Sequence, residues 1–206
     1  MSELLGVALI SYLIGSVPWG YLLGRWYGLD VRRSGSGNIG ATNVARSLGR
    51  RVGLLTLALD AAKGALPVLL AANASLWPSA ETSPETRAAI AALGAVAGHV
   101  FSIFLRFQGG KGVATAAGAL LALAPGAALI ALAVFAALLL AKRIVSLASL
   151  GAVATAPVGM ALSGEPRAAV LAGVGVAALI FVRHRDNLAR LRAGTEPRLD
   201  ERPRTR

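Results

Sequence analysis

The chain has 206 residues, of which 55% are hydrophobic and 15% charged, and its mean hydropathy is +0.64. A water-soluble domain of this size needs more polar surface, so the composition is that of an integral membrane protein. The net charge of +11 resides in short basic stretches between apolar runs, which indicates membrane topology and no nucleic-acid partner; with no cysteine, disulfides and Cys-ligated metals are excluded.

A hydrocarbon core about 30 Å thick needs about 20 apolar residues per crossing helix. Charge-poor runs occupy 4–23, 53–72, 88–105, 113–141, 144–164 and 168–182. The first has no basic stretch before it and no small-residue cleavage site after it, so it reads as a mature span rather than a removed signal. The run 113–141 would measure about 43 Å as one helix at about 1.5 Å per residue. It carries Pro125-Gly126 near its middle, a turn-forming pair.

Charge decides between one span and two, because short cytoplasmic loops hold the excess of Lys and Arg. With two spans, loops 24–52, 106–112 and 142–143 and the segment 183–206 share a side. That side then holds every basic residue except Lys63, Arg87 and Arg167. With one span the basic residues divide almost evenly. The expected fold is therefore all-α and integral to the membrane, a single unit over 1–206 with seven transmembrane helices, the N-terminus outside and the C-terminus cytoplasmic. The two halves of the long run are short for full crossings. Gly- and Ala-rich stretches such as 151–156 and 172–176 predict close helix packing, and 196–206 reads as a solvated tail.

Three polar clusters fall on the predicted cytoplasmic side. The first, 34–46, contains Gly35, Ser36, Gly37, Asn38, Gly40, Thr42, Asn43 and Arg46. Glycine-rich backbone presents N–H donors to phosphate, hydroxyls and amides add neutral donors, and a guanidinium grips phosphate bidentately. The Gly-x-Gly-x-x-Gly spacing at 35–40 lacks the βαβ context of a dinucleotide site, and a flexible loop is the plain alternative. The second cluster, 107–115, sets Gly109, Gly110 and Gly112 around Lys111 before the next apolar run, with Thr115 behind. That is an anion site at a helix N-terminus, but not a nucleotide-binding P-loop, because Gly112 stands where Ser or Thr would hold magnesium. The plain alternative is a lysine on lipid headgroups. The third, 183–196, places His184, Asn187 and Arg190 on one helical face, able to supply a proton acceptor, an amide and a cation. A juxtamembrane basic helix accounts for its arginines but not for His184 and Asn187.

Within the second span, Asp60 and Lys63 lie three residues apart on one face. Intramembrane ionisable pairs face bundle interiors or functional cavities, so mutual neutralisation and substrate contact are both open readings. His99 reads equally as a site residue or as a buried histidine satisfied by backbone.

Six ordered motifs now stand out: 15–21 (Gly-Ser-Val-Pro-Trp-Gly-Tyr), 35–43 (Gly-Ser-Gly-Asn-Ile-Gly-Ala-Thr-Asn), 59–64 (Leu-Asp-x-x-Lys-Gly), 98–101 (Gly-His-x-Phe), 107–115 (Phe-x-Gly-Gly-Lys-Gly-Val-Ala-Thr) and 183–191 (Arg-His-x-x-Asn-Leu-x-Arg-Leu). In this order the chain resembles the bacterial integral-membrane acyltransferases that move an acyl chain from acyl phosphate to glycerol 3-phosphate. The one departure is Leu188 in place of isoleucine.

The resemblance implies seven spans, three cytoplasmic motifs forming one active site, and transfer to the sn-1 hydroxyl giving lysophosphatidic acid at the bacterial inner membrane. It implies acyl phosphate and glycerol 3-phosphate as substrates, with no cofactor, no metal and no obligatory protein partner. On this reading His184, Asn187, Ser36 and Lys111 carry the chemistry. Substrate is held by Gly35, Gly37, Asn38, Gly40, Thr42, Asn43, Arg46, Gly109, Gly110, Gly112, Thr115, Arg190 and Lys63. The base is His184 or the acceptor's own phosphate. The rival class is a small-anion or phosphate-ester transporter, which glycine loops and buried charges also serve.

Overall fold

The structure is a computed structural model that describes residues 2–199, and the described residues are helical with no strand. The helices are α1 (Ser2–Ser16), α2 (Trp19–Trp26), α3 (Ala41–Leu48), α4 (Arg50–Ala72), α5 (Pro84–Val100), α6 (Val113–Leu123), α7 (Pro125–Lys142), α8 (Val145–Leu162), α9 (Arg167–Arg183) and α10 (Arg185–Arg192). Among the described residues five segments are long and apolar enough to cross a membrane: Ser2–Trp26, Arg50–Ala72, Pro84–Leu105, Pro125–Lys142 and Val145–Leu162. A sixth is obtained if α9 and α10, bent by 63° at their junction, count as one; α6 is a shorter apolar helix of 11 residues.

Two apolar runs break where proline removes a backbone donor. The first divides at Val17-Pro18 into α1 and α2, so the expected single helix over 4–23 is two helices. The long run divides at Ala124, and Pro125 opens α7 at its first position, where its missing N–H costs nothing. The core cluster of Ala124, Ala127, Met160 and Ala169 joins the end of α6, the start of α7, the end of α8 and the start of α9.

The ends of the bundle differ in chemistry. At one end Arg87, buried at the start of α5, donates from Nε to the Ala71 carbonyl at 3.0 Å and from Nη1 to the Thr82 carbonyl. It also lies 3.5 Å from the Glu3 carboxylate and over the Trp77 ring, so one cation ties together the starts of α1 and α5 and the end of α4. At the opposite end lie the start of α4, the end of α5, the starts of α6 and α8 and the end of α9. Val96, Val100, Ala116 and Ile180 form the apolar floor there.

Small residues let the helices meet. A methyl on Gly64 would sit 2.0 Å from the Thr115 carbonyl oxygen, and one on Gly118 would sit 1.9 Å from that of Ala61, so α4 and α6 touch through backbone. The leucines of α1, α4 and α7 point outward, including Leu5, Leu9, Leu54, Leu69, Leu129 and Leu132, as a lipid-facing surface requires.

Candidate functional site

The three clusters occupy the same end of the bundle. In the first, Asn43 on α3 is an organiser rather than a free group. Its Nδ2 donates to the carbonyls of Val31 (2.9 Å), Ser34 (3.0 Å) and Asn38 (2.8 Å), and its Oδ1 accepts from the Ser36 N–H at 2.8 Å. Asn38 Oδ1 in turn accepts from the Gly40 N–H. Gly35 (φ +56) and Gly37 (φ +72) supply the left-handed backbone that this turn needs. Ser36 is exposed at the tip, and Gly40 precedes α3 with no side chain capping the helix; the Asn43 N–H already donates to the Gly40 carbonyl, so the Ala41 and Thr42 amides are the first-turn donors left available. Arg46 ends the cluster with Nε buried and without a hydrogen-bond partner among the described residues.

The second cluster follows a strained approach. Arg106 (φ 53) and Phe107 (φ 64) are consecutive non-glycine residues in left-handed conformation, held by the Phe107 N–H donating to the Ser102 carbonyl at 2.8 Å. Gly109 and Gly110 donate their own N–H groups to the Val100 and His99 carbonyls, both at 3.1 Å. The donors open to an anion therefore run from Lys111 into the first turn of α6, where Gly112 (φ +85) is an N-cap without a side chain. Thr115 faces away from this mouth, buried, with Oγ1 3.1 Å from His99 Nδ1.

The third cluster closes on the second. Lys111 Nζ donates to Asn187 Oδ1 at 2.6 Å, and Arg183 donates to the Gly109 and Gly110 carbonyls at 2.9 and 3.2 Å. His184 sits at the bend between α9 and α10, 2% exposed. Its Nδ1 lies 2.8 Å from the Ile180 carbonyl, which only a protonated Nδ1 satisfies, so Nε2 is the nitrogen left to accept or donate. Loop 34–46 meets the approach to the second cluster through the apolar cluster of Val31, Ile39, Val44, Val52 and Leu105. Lys63 stands apart from the mouth, buried in an ion pair with Asp60 at 2.8 Å.

Glu196 is a further member of this assembly. It begins the segment expected to be a solvated tail, but accepts from Ser146 Oγ (2.7 Å), Asn187 Nδ2 (2.5 Å) and Arg190 Nε (2.7 Å). The tail reading is corrected at this residue because three donors hold the carboxylate against the bundle; 200–206 lie outside the described residues. An acid just past the end of the basic run 183–192 was the available signal. Burial pushes the Glu196 carboxyl up, but the hydrogen bonds from Ser146, Asn187 and Arg190 outweigh it and leave it below its ordinary value. Lys111 is lowered to about 8, chiefly by burial, with Glu196 opposing and Arg190 and Arg183 adding to the shift.

The assembled end offers two uncapped helix N-termini, four basic side chains (Arg46, Lys111, Arg183 and Arg190) and a histidine and asparagine beside them, an arrangement suited to phosphorylated ligands. Comparison with known proteins points the same way. The profile of the family described as Glycerol-3-phosphate acyltransferase matches residues 5–194. Curated proteins of that description from Geotalea daltonii and Trichlorobacter lovleyi are 48% and 50% identical over 186 residues, covering 90% of this chain and 92% of each relative. The crystal structure of PlsY (YgiH), an integral membrane glycerol 3-phosphate acyltransferase, in its glycerol 3-phosphate form, superposes with a TM-score of 0.87 at 38% identity, covering 95% of this chain and 94% of that one. Its lysophosphatidic acid form superposes with a TM-score of 0.85 at 37% identity, with the same coverage.

Proposed function

This chain belongs to the glycerol-3-phosphate acyltransferase family, and from that premise we propose how its geometry performs acyl transfer to glycerol 3-phosphate with lysophosphatidic acid as product. The donor in this reading is an acyl phosphate, the acceptor oxygen is the sn-1 hydroxyl, and inorganic phosphate leaves the acyl carbon as the new ester bond forms. The protein is a single unit with seven crossings, short α6 included, the N-terminus outside, and the active site on the cytoplasmic face of the inner membrane. The observation that carries the reading is the pairing of Lys111 with Asn187, 76 residues apart, at the mouth of α6.

An acyl phosphate is an activated mixed anhydride, so direct attack by the acceptor hydroxyl needs no enzyme nucleophile, metal or cofactor. It needs two phosphates placed side by side, charge stabilisation at the carbonyl oxygen, and removal of a proton. Lys111 has two ammonium hydrogens left beyond the one given to Asn187, and with Arg46 and Arg190 it neutralises phosphate. Ser36, Gly35, Gly37, Gly40 and Thr42 form one cradle, with Asn38 and Asn43 fixing its shape; Gly112 and the first turn of α6 form the other, shaped by Gly109 and Gly110 and backed by Thr115. Asn187 orients Lys111, and His184 Nε2 receives the hydroxyl proton or holds the acceptor while its phosphate does so. Loss of less than twofold in kcat for His184→Ala assigns the proton to the phosphate.

Incubating purified protein with palmitoyl phosphate and glycerol 3-phosphate in chelator-treated buffer is expected to yield lysophosphatidic acid, whereas palmitoyl-CoA gives none. Failure with the phosphate donor sinks the reading. Uptake of labelled glycerol 3-phosphate into proteoliposomes without acylated product supports a transporter instead.

The lowered Lys111 pKa gives the reaction a pH signature. A cation with its pKa near 8 is charged below that pH and loses its charge as pH rises through it, so phosphate binding weakens upward. KM for glycerol 3-phosphate is expected to rise about tenfold for each pH unit above 8 and to stay flat from 6.5 to 7.5. A flat KM up to pH 9 contradicts the assignment of Lys111 to phosphate.

A further inference from the structure

Beneath the phosphate mouth runs a buried polar chain that the proposed reaction does not use. Lys63 and Asp60 on α4 pair at 2.8 Å, 4% and 1% exposed. Lys63 Nζ also donates to the Val17 carbonyl at 2.6 Å, in the break between α1 and α2. Asp60 Oδ1 lies 3.7 Å from His99 Nδ1, which Thr115 Oγ1 approaches at 3.1 Å from the first turn of α6. The other side of the imidazole meets the glycine loop: a methyl on Gly110 would sit 2.3 Å from His99 Nε2. The His99 backbone carbonyl accepts from the Gly110 N–H.

A buried ion pair is weak support for stability, since well-packed apolar residues of similar volume serve as well or better, and ions within a membrane are costlier still. Beyond itself this pair reaches in two directions, by a hydrogen bond to the α1–α2 break and by a 3.7 Å approach, too long for a hydrogen bond, to a histidine that touches Thr115 and Gly110. Those two residues flank the donors that run from Lys111 into α6.

We propose that Asp60, Lys63 and His99 are positioning residues for the acyl transfer: the ion pair sets the His99 ring, and the ring braces Gly110 so that Lys111 and the first-turn amides of α6 are held toward phosphate. The inference rests on the functional reading above and assigns Lys63 a role through the loop rather than on substrate. Asp60 meets its ammonium partner from its own helix and the imidazole from α5; Lys63 meets the carbonyl of Val17 from the α1–α2 break.

The test uses the full chain in detergent and two independent variant sets. In Asp60→Asn/Lys63→Met both charges go while shape is kept. Unfolding at the wild-type temperature or above is expected, with amide exchange across 109–115 faster by about tenfold, exchange in α8 unchanged, and KM for glycerol 3-phosphate up about tenfold at a kcat within about twofold. Unchanged exchange at 109–115 overturns the proposal, as does a raised KM that a conservative Lys63→Arg with intact Asp60 shares in full.

The second set keeps the idea falsifiable if the charge variant does not fold. Gly110→Ala and His99→Ala are each expected to raise KM by about tenfold, and the double variant to be no worse than either, because the added methyl fills the space the ring vacates. Effects that multiply to about a hundredfold overturn the brace. Exchange is read without turnover, so wild-type protein that makes no lysophosphatidic acid sinks the functional reading alone, while wild-type turnover with multiplying effects sinks this one alone.

Discussion

Lys111→Met is expected to lower kcat/KM for glycerol 3-phosphate by about 10³-fold while the protein folds normally. Among the described residues the ammonium has one hydrogen-bond partner, Asn187 at 2.6 Å, which leaves two hydrogens for phosphate at a mouth that also holds the open N-terminus of α6. Two charge-assisted bonds at about 2 kcal/mol each give about 4 kcal/mol, and about 1.4 kcal/mol is a decade in rate. Methionine keeps the length and apolar packing of the lysine stem, so the loss is of charge. Lys142→Met, at the end of α7, removes a surface charge and is expected to change kcat/KM by less than about threefold. A Lys111→Met enzyme within tenfold of wild type, assayed at pH 7 with both substrates varied, removes Lys111 from the site.

Gly118→Ala is expected to cost about 3 kcal/mol of stability. Its Cβ would lie 1.9 Å from the Ala61 carbonyl oxygen, a contact with rigid backbone that only separation of α4 from α6 relieves. Gly64 makes the reciprocal approach to Thr115, so the helices cannot slide to a new register without a second clash. Because α6 opens at the proposed phosphate mouth, residual activity is expected to fall with stability. Gly126→Ala has open space around the added methyl in the first turn of α7, and helix propensity makes it neutral or slightly stabilising. Thermal unfolding in one detergent compares the two directly; equal midpoints refute the close-packing argument.

Much of the architecture was legible because membrane physics leaves few choices. A backbone in hydrocarbon must satisfy itself, so apolar runs become helices. The distribution of Arg and Lys argued for dividing 113–141, and the chain does divide at Ala124. Proline alone was a poor guide: Pro18 and Pro125 mark helix boundaries, but Pro67 and Pro157 lie inside α4 and α8. Neighbouring helices decide whether a lost hydrogen bond ends a helix, and no local pattern reports who the neighbours are.

The candidate site divides along the same line. Glycine spacing, Lys111 and the His184–Asn187–Arg190 face were visible because loop chemistry is local. The work done by Asn43 inside its own loop, the anchoring of Glu196 by Ser146, Asn187 and Arg190, and the contact of His99 with Gly110 were not, since each joins residues whose proximity depends on the path of the chain.

The sequence by itself determined an all-helical membrane protein, its family and the residue types able to hold phosphate, because hydropathy, charge asymmetry and motif order are properties of the unfolded string. Only the tertiary structure decided which polar groups face a ligand and which are consumed in holding others. A buried donor or acceptor takes whatever partner lies within about 3 Å, and helix packing alone brings segments 70 or more residues apart to that distance, as between Arg183 and Gly109 or Lys111 and Asn187.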